Sequence, residues 1–264
     1  MGFMVFSFMA SVVYIINDLR DIEADKKHPR KQKRPLAAGK ITPVQAILTA
    51  CLLFIAAMAL SAQMLSIRFV TVVLLYFFLN LFYTYYGKQI SILDVVIISI
   101  GFVLRIKAGG IVGEIPLSQW IIVMVFLLAL FLAIAKRRDD LVIKEKMGID
   151  LRVVSKQYTI DFLNIALSLI TGVIIVAYLM YCLSPAVMDR MGTHRIFYTV
   201  LFVICGVLRY LQITIVDKES GSPSAVLLKD RFIQVVLAGW IVSFYFLVYY
   251  DTVISFIKSL GINL

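Results

Sequence analysis

The chain has 264 residues, 61% of them hydrophobic, and a mean hydropathy of +0.94. That is far more apolar than a soluble domain and points to an integral membrane protein. The net charge of +10, from 26 basic and 16 acidic residues, would alone suggest a nucleic-acid partner. Its placement between apolar runs excludes one and reads as membrane orientation and anion binding.

Apolar runs fall at about residues 1–16, 44–65, 67–86, 92–112, 117–135, 160–183, 195–216 and 233–257. Most approach the roughly 20 residues needed to cross about 30 Å of hydrocarbon. Continuous apolar runs, unlike the alternating strands of a barrel, satisfy their backbone in lipid only as helices, so an all-α polytopic bundle of eight spans is expected. The first run opens at Met1 without a basic flank and reaches only about 24 Å as a helix. A signal peptide is not indicated. Either the helix is completed by other means or a span upstream is missing.

If the segment after residue 16 faces the cytoplasm, loops 17–43, 87–91, 136–159 and 217–232 carry nineteen of the Lys and Arg residues. The opposite loops and the C-terminus carry four, which by the positive-inside rule puts the polar loops in the cytoplasm.

The most polar stretch, residues 17–40, reads NDLRDIEADKKHPRKQKRPLAAGK. On a continuous helix, Asn17, Asp18, Asp21 and Asp25 would fall at roughly 0°, 100°, 40° and 80°, one face, with Glu23 on the other side. Such a face repels itself unless a cation sits against it, and hard oxygen ligands suit Mg²⁺. Lys26, Lys27, Arg30, Lys31, Lys33, Arg34 and Lys40 follow, bases to hold phosphate beside acids to hold metal. Pro29 and Pro35 argue for a loop folded over the membrane surface. A solvated loop whose cations bind anionic lipid is the alternative.

Tyr83 to Gln89 reads YTYYGKQ, with Gly87 as a helix stop and Lys88 at phosphate depth, or simply an aromatic belt with a snorkelling lysine. The fourth run contains Arg105 and Lys107, cations costly within a span unless they face protein, water or a counter-charge. Arg105 is expected to point inward, and Gly109 and Gly110 to admit a neighbouring helix. Lys136, Arg137, Asp139 and Asp140 open the second long loop and repeat the mixture of acids and bases. Two such mouths could close one cavity, and residues 141–154 suit a short amphipathic cap or a plain surface helix. In the last loop Gly221 and Pro223 break the helix, Ser224 can cap a new turn, and Lys229 and Arg231 could contact phosphate or anchor the surface. Cys51, Cys182 and Cys205 are isolated in apolar sequence and read as packing residues. His28 and His194 are too isolated for a histidine metal site, although His28 could touch phosphate.

NDLRDIEAD resembles the first aspartate-rich motif of the UbiA-type intramembrane prenyltransferases. HPRKQKRPLAAGKI, LDVVIISIGFVLRIKAGGIVGEIPLSQW, AKRRDD and LRYLQITIVDKESGSPSAVLLKDR resemble, in order, blocks of the polyprenyl-phosphate phosphoribosyltransferase branch of that family. The resemblance implies nine helical spans around a cytoplasm-facing cavity in a bacterial inner membrane. It implies Mg²⁺-dependent transfer of phosphoribose from 5-phosphoribosyl 1-diphosphate (PRPP) to a polyprenyl phosphate, releasing diphosphate. Asn17, Asp21 and Asp25 match the metal positions with Asp18 beside them; Lys31 and Arg34 match the basic positions; Lys136, Arg137 and Asp140 match the second motif, K-R-x-x-D/E. Lys88 and Arg105 join the candidate substrate contacts. The chain departs from the family in lacking a span before the first motif, and from aromatic prenyltransferases in carrying KRRDD where they carry a second D-x-x-x-D. A prenyltransferase using prenyl diphosphate is the rival enzyme reading. A transporter or scaffold is the rival of another class, and it would place more ionisable residues within the spans.

Overall fold

The computed structural model describes residues 1–26, 31–63, 66–147, 157–217 and 223–250, side chains excepted at 146–147 and 223–224. His28, Lys27 and Arg30 lie outside them. Eight helices are long and apolar enough to cross a membrane, as expected, and no strand occurs among the described residues. The chain divides into two compact units, Met1–Leu117 with Asp150–Gln157, and Ser118–Ile149 with Tyr158–Leu264.

In the first unit α1 (Gly2–Arg20), α3 (Pro43–Gln63), α4 (Ile67–Tyr85) and α5 (Leu93–Val112) are the long helices, and α2 (Ile22–Lys26) is short. Local chemistry sets their starts. Thr42 and Gln45 form a reciprocal capping box ahead of α3, with Pro43 in the first turn where its missing N–H costs nothing. The Ser66 hydroxyl accepts the Phe69 N–H at the start of α4. Val5, Met9 and Val13 of α1 bury their side chains with Ala57, Phe69, Val73, Tyr76, Leu104 and Ala108. The spacing of four residues along α1 keeps that stripe on one side of the helix.

The second unit contains α6 (Gln119–Met147), α7 (Ile160–Leu183), the short α8 (Pro185–Met191), α9 (Val200–Gln212), α10 (Pro223–Lys229) and α11 (Arg231–Val248). Thr159 caps α7 through the Phe162 N–H, and Asp230 caps α11 through the Ile233 N–H. Tyr178 Oη lies 2.7 Å from Thr199 Oγ1 and accepts the Trp240 indole N–H at 2.8 Å. Beyond Gln212 the backbone widens into a π-helical turn, Ile213–Asp217.

Several expectations are corrected. The helix carrying the first motif is not continuous: α1 ends at Arg20, Asp21 takes φ −100° and ψ 7°, and α2 begins at Ile22. Residues 136–147 are not a loop with a separate cap, because α6 runs on to Met147. Nothing in Gln119–Met147 breaks a helix, since the stretch contains neither Gly nor Pro. Residues 148–154 of the expected cap lie outside the described residues. Among the described residues Gly109 and Gly110 meet no neighbouring helix: a Cβ on Gly109 would find none of them within 4 Å, and one on Gly110 would meet Leu117 and the Ile115 carbonyl of the following loop. Gly87 opens a 3₁₀ turn after α4, where a Cβ would fall 2.5 Å from Ile97 Cδ1 of α5 and the end of that side chain would have to shift. Ser224 lies within α10, which already begins at Pro223.

Candidate active site

The first acid cluster is built at the junction of α1 and α2. Although the helix breaks at Asp21, the Asp25 N–H still bonds to the Asp21 carbonyl at 2.8 Å, so a hydrogen bond bridges the break. Asp18 and Asp25 then converge on one nitrogen: Arg34 Nη1 donates to Asp18 Oδ1 at 2.6 Å and to Asp25 Oδ2 at 2.8 Å. Asp25 is the best shielded of the acids, 3% exposed, and Lys31 Nζ lies 3.8 Å from its other oxygen. Lys31 and Arg34 are delivered by the 3₁₀ turn Lys31–Lys33, whose Lys31 carbonyl accepts the Arg34 N–H at 2.9 Å. Asp21 receives Lys88 Nζ from the turn between α4 and α5. Asn17 is half-buried and its carbonyl accepts the Asp21 N–H. Glu23 pairs with Lys26 and is exposed, away from the cluster as expected.

Arg105 does point inward, and Lys107 is exposed. The Arg105 guanidinium donates to Tyr76 Oη at 2.9 Å and lies over the rings of Tyr76 and Phe102, 5.5 Å and 5.0 Å from their centroids. Tyr76 is a partner that the sequence reading missed. An uncompensated cation within an apolar run was the available signal for it.

The second cluster lies on α6 within the other unit. Lys136 is exposed, Arg137 is 2% exposed, and Arg137 Nη1 stands 3.6 Å from Asp140 Oδ2, one helical turn on. Arg138, passed over in the sequence reading, is the residue that fixes this stretch. It is 3% exposed, with Nε on Asn164 Oδ1 at 2.6 Å, Nη1 on the Thr214 carbonyl at 2.5 Å and Nη2 on the Ile215 carbonyl at 3.3 Å. Both carbonyls belong to the π-helical turn Ile213–Asp217. Arg209 pairs with Asp230 at 2.7 Å, and this contact with the Ile233 N–H holds the Asp230 carboxyl below the usual carboxylate range. His194 Nδ1 contacts Met188 Sδ, and the cysteines are free thiols.

Fold and site together define a helical, polytopic membrane protein with acids and bases matched at the ends of its spans. Residues 1–236 match the UbiA prenyltransferase family, and the chain belongs to that family of integral membrane transferases. It is 33% identical over 246 residues to decaprenyl-phosphate phosphoribosyltransferase of Mycolicibacterium smegmatis, covering 91% of this chain and 77% of that protein. The enzyme of the same name from Corynebacterium glutamicum is 32% identical over 243 residues, covering 91% and 72%. Among solved structures, a UbiA homologue from Archaeoglobus fulgidus bound to GPP and Mg²⁺ superposes with a TM-score of 0.68 at 19% identity, over 94% of this chain and 86% of that one. At that identity the likeness speaks for the fold.

Proposed function

We propose that this chain transfers 5-phosphoribose from PRPP to a polyprenyl phosphate and releases diphosphate, at a site facing the cytoplasm. The observation that carries the reading is the meeting of Asp18 and Asp25 on Arg34, with Lys31 beside Asp25 and Lys88 on Asp21. Names of the M. smegmatis and C. glutamicum relatives supply the substrate class, and the nineteen-to-four asymmetry of basic residues supplies the orientation.

The donor set suits Mg²⁺. It is made only of oxygens, and one of its carboxylates, Asp25, already meets a cationic group, the guanidinium of Arg34, together with the neighbouring Asp18. No three His, Cys, Asp or Glu side chains among the described residues are gathered closely enough to ligate a metal as they stand. Asn17, Asp21 and Asp25 would hold the ion once Arg34 and Lys88 turn to substrate phosphate. Bound there, Mg²⁺ would act as a Lewis acid toward the leaving diphosphate.

The residues of the chain itself bind and orient. Arg34 and Lys31 offer a fork and a point charge to the phosphates of PRPP, and Lys88 adds a third cation. In the second unit Arg137 and Lys136 are cations suited to phosphate, with Asp140 one turn from Arg137. The acceptor phosphate is ionised at neutral pH and needs no general base. Positioning is the main demand. The test is transfer of label from PRPP to polyprenyl phosphate by the purified chain, run beside labelled prenyl diphosphate with a small aromatic acceptor. Transfer from prenyl diphosphate alone would replace this reading with the rival one.

A further inference from the structure

Between α1 and α5 in the first unit lies a cavity of about 670 Å³. Its walls are mostly apolar, Phe6, Ala10, Phe69 and Ala108 among them, and the charged side chain facing it is that of Arg105. Arg105 stands 12 residues into α5, about 18 Å along a helix of some 30 Å, so its cation is held deep within the span. Its partners there are neutral: the Tyr76 hydroxyl, the rings of Tyr76 and Phe102, and Tyr14. Aromatic faces and phenols offset only part of the cost of a cation at this depth, and an anion would offset the rest.

The cavity is aligned with the acid cluster. Tyr14 lines it and stands one helical turn before Asp18, and Ala10 and Tyr14 fall within about 60° of Asn17 around α1. One face of α1 therefore carries, in order, an apolar compartment, a phenol beside a guanidinium, and the carboxylates that meet Arg34. A ligand that fills this face has a long apolar part and an anionic end. PRPP has no apolar part, and its desolvation among Phe6, Ala10 and Ala108 would be prohibitive.

We propose that Arg105, with the hydroxyls of Tyr76 and Tyr14, is the subsite for the phosphate of the lipid acceptor, whose isoprenoid chain enters the cavity. This rests on the phosphoribosyl transfer proposed above. An oxygen of the lipid phosphate bonds to C1 of the ribose as the bond from C1 to the diphosphate breaks. The electron pair leaves with the diphosphate, and no proton has to move.

Two measurements on the full-length purified chain test this. In the transfer assay, Arg105→Gln is expected to raise KM for polyprenyl phosphate at least about tenfold and to leave KM for PRPP within about twofold, the signature of a lost charged contact to one substrate. In competition binding without PRPP, the wild-type chain should prefer polyprenyl phosphate over the matching polyprenol at least about tenfold, and Arg105→Gln should abolish that preference. A rise in KM for PRPP instead, or a wild-type chain that binds phosphate and alcohol equally, overturns the subsite. Should Arg105→Gln fail to fold, Arg105→Lys and Tyr76→Phe keep the cavity filled, and each should lower the phosphate preference at least about threefold. No change in either overturns it. If the wild-type chain transfers no phosphoribose, the proposed reaction falls and the binding comparison still decides the role of Arg105.

Discussion

Asp25→Asn removes one negative charge and alters little else in shape. The carboxylate is 3% exposed, accepts Arg34 Nη1 at 2.8 Å and lies 3.8 Å from Lys31 Nζ. Breaking a buried pair costs about 3–5 kcal/mol. Arg34 is 37% exposed and keeps Asp18, so solvent and the remaining acid absorb part of that, and a loss of about 1–2 kcal/mol of stability is expected. On turnover the loss should be larger. One strong electrostatic contact to developing charge is worth about 2.7–4 kcal/mol, or roughly a hundredfold to a thousandfold. The assay is single-turnover transfer from labelled PRPP, with thermal unfolding of the same preparation as control. A variant that is folded and transfers phosphoribose at near the wild-type rate would refute the assignment of Asp25 to the reacting centre. Asp21→Asn should fall at least about a hundredfold on the same argument.

Arg34→Ala is expected to raise KM for PRPP more than KM for the lipid; equal rises would show that Arg34 serves both substrates or only the fold. Arg138→Ala strands a buried carbonyl, a part-buried carbonyl and the Asn164 amide oxygen, and should cost about 2–4 kcal/mol in thermal unfolding of the purified chain. Unchanged stability would mean that the bonds to the π-helical turn contribute nothing. Asp230 has a folded pKa below its usual 3.8, so its ion pair with Arg209 contributes stability above about pH 4 that is lost as pH falls through that value and below. Asp230→Asn, which still caps α11, should therefore unfold more readily than wild type near about pH 6, with the difference closing near about pH 3. A difference independent of pH would exclude the pair as its source.

Much of the architecture was legible because the bilayer enforces it. Each apolar run had to become a helix, and eight did. The ends of those helices were less legible. Residues 136–147 combine charges with helix-forming side chains, so polarity suggested a loop where backbone propensity extended α6. At Asp21 the reverse occurred: an unbroken periodic face concealed a break in the helix, and the convergence of Asp18 and Asp25 depends on Arg34, nine residues beyond Asp25 in the chain. The contact of Lys88 with Asp21, across 67 residues, and the hold of Arg138 on Thr214, across 76, arise from packing and leave no local trace. Tyr76 lies in the same category, a residue of an apolar helix whose hydroxyl matters only because Arg105 of another helix reaches it.

The length of α6 ties chemistry to membrane thickness. Its 29 residues make about 44 Å of rigid rod, and Lys136 to Asp140 begin about 26 Å along it, close to the far edge of a hydrocarbon layer of about 30 Å. Those side chains cannot swing as a loop would, so their height above the headgroups follows from how far the rod protrudes. Thicker bilayers would draw the quintet toward the acyl chains and thinner ones would lift it into water. The surrounding lipid thus sets the level at which the second cluster stands.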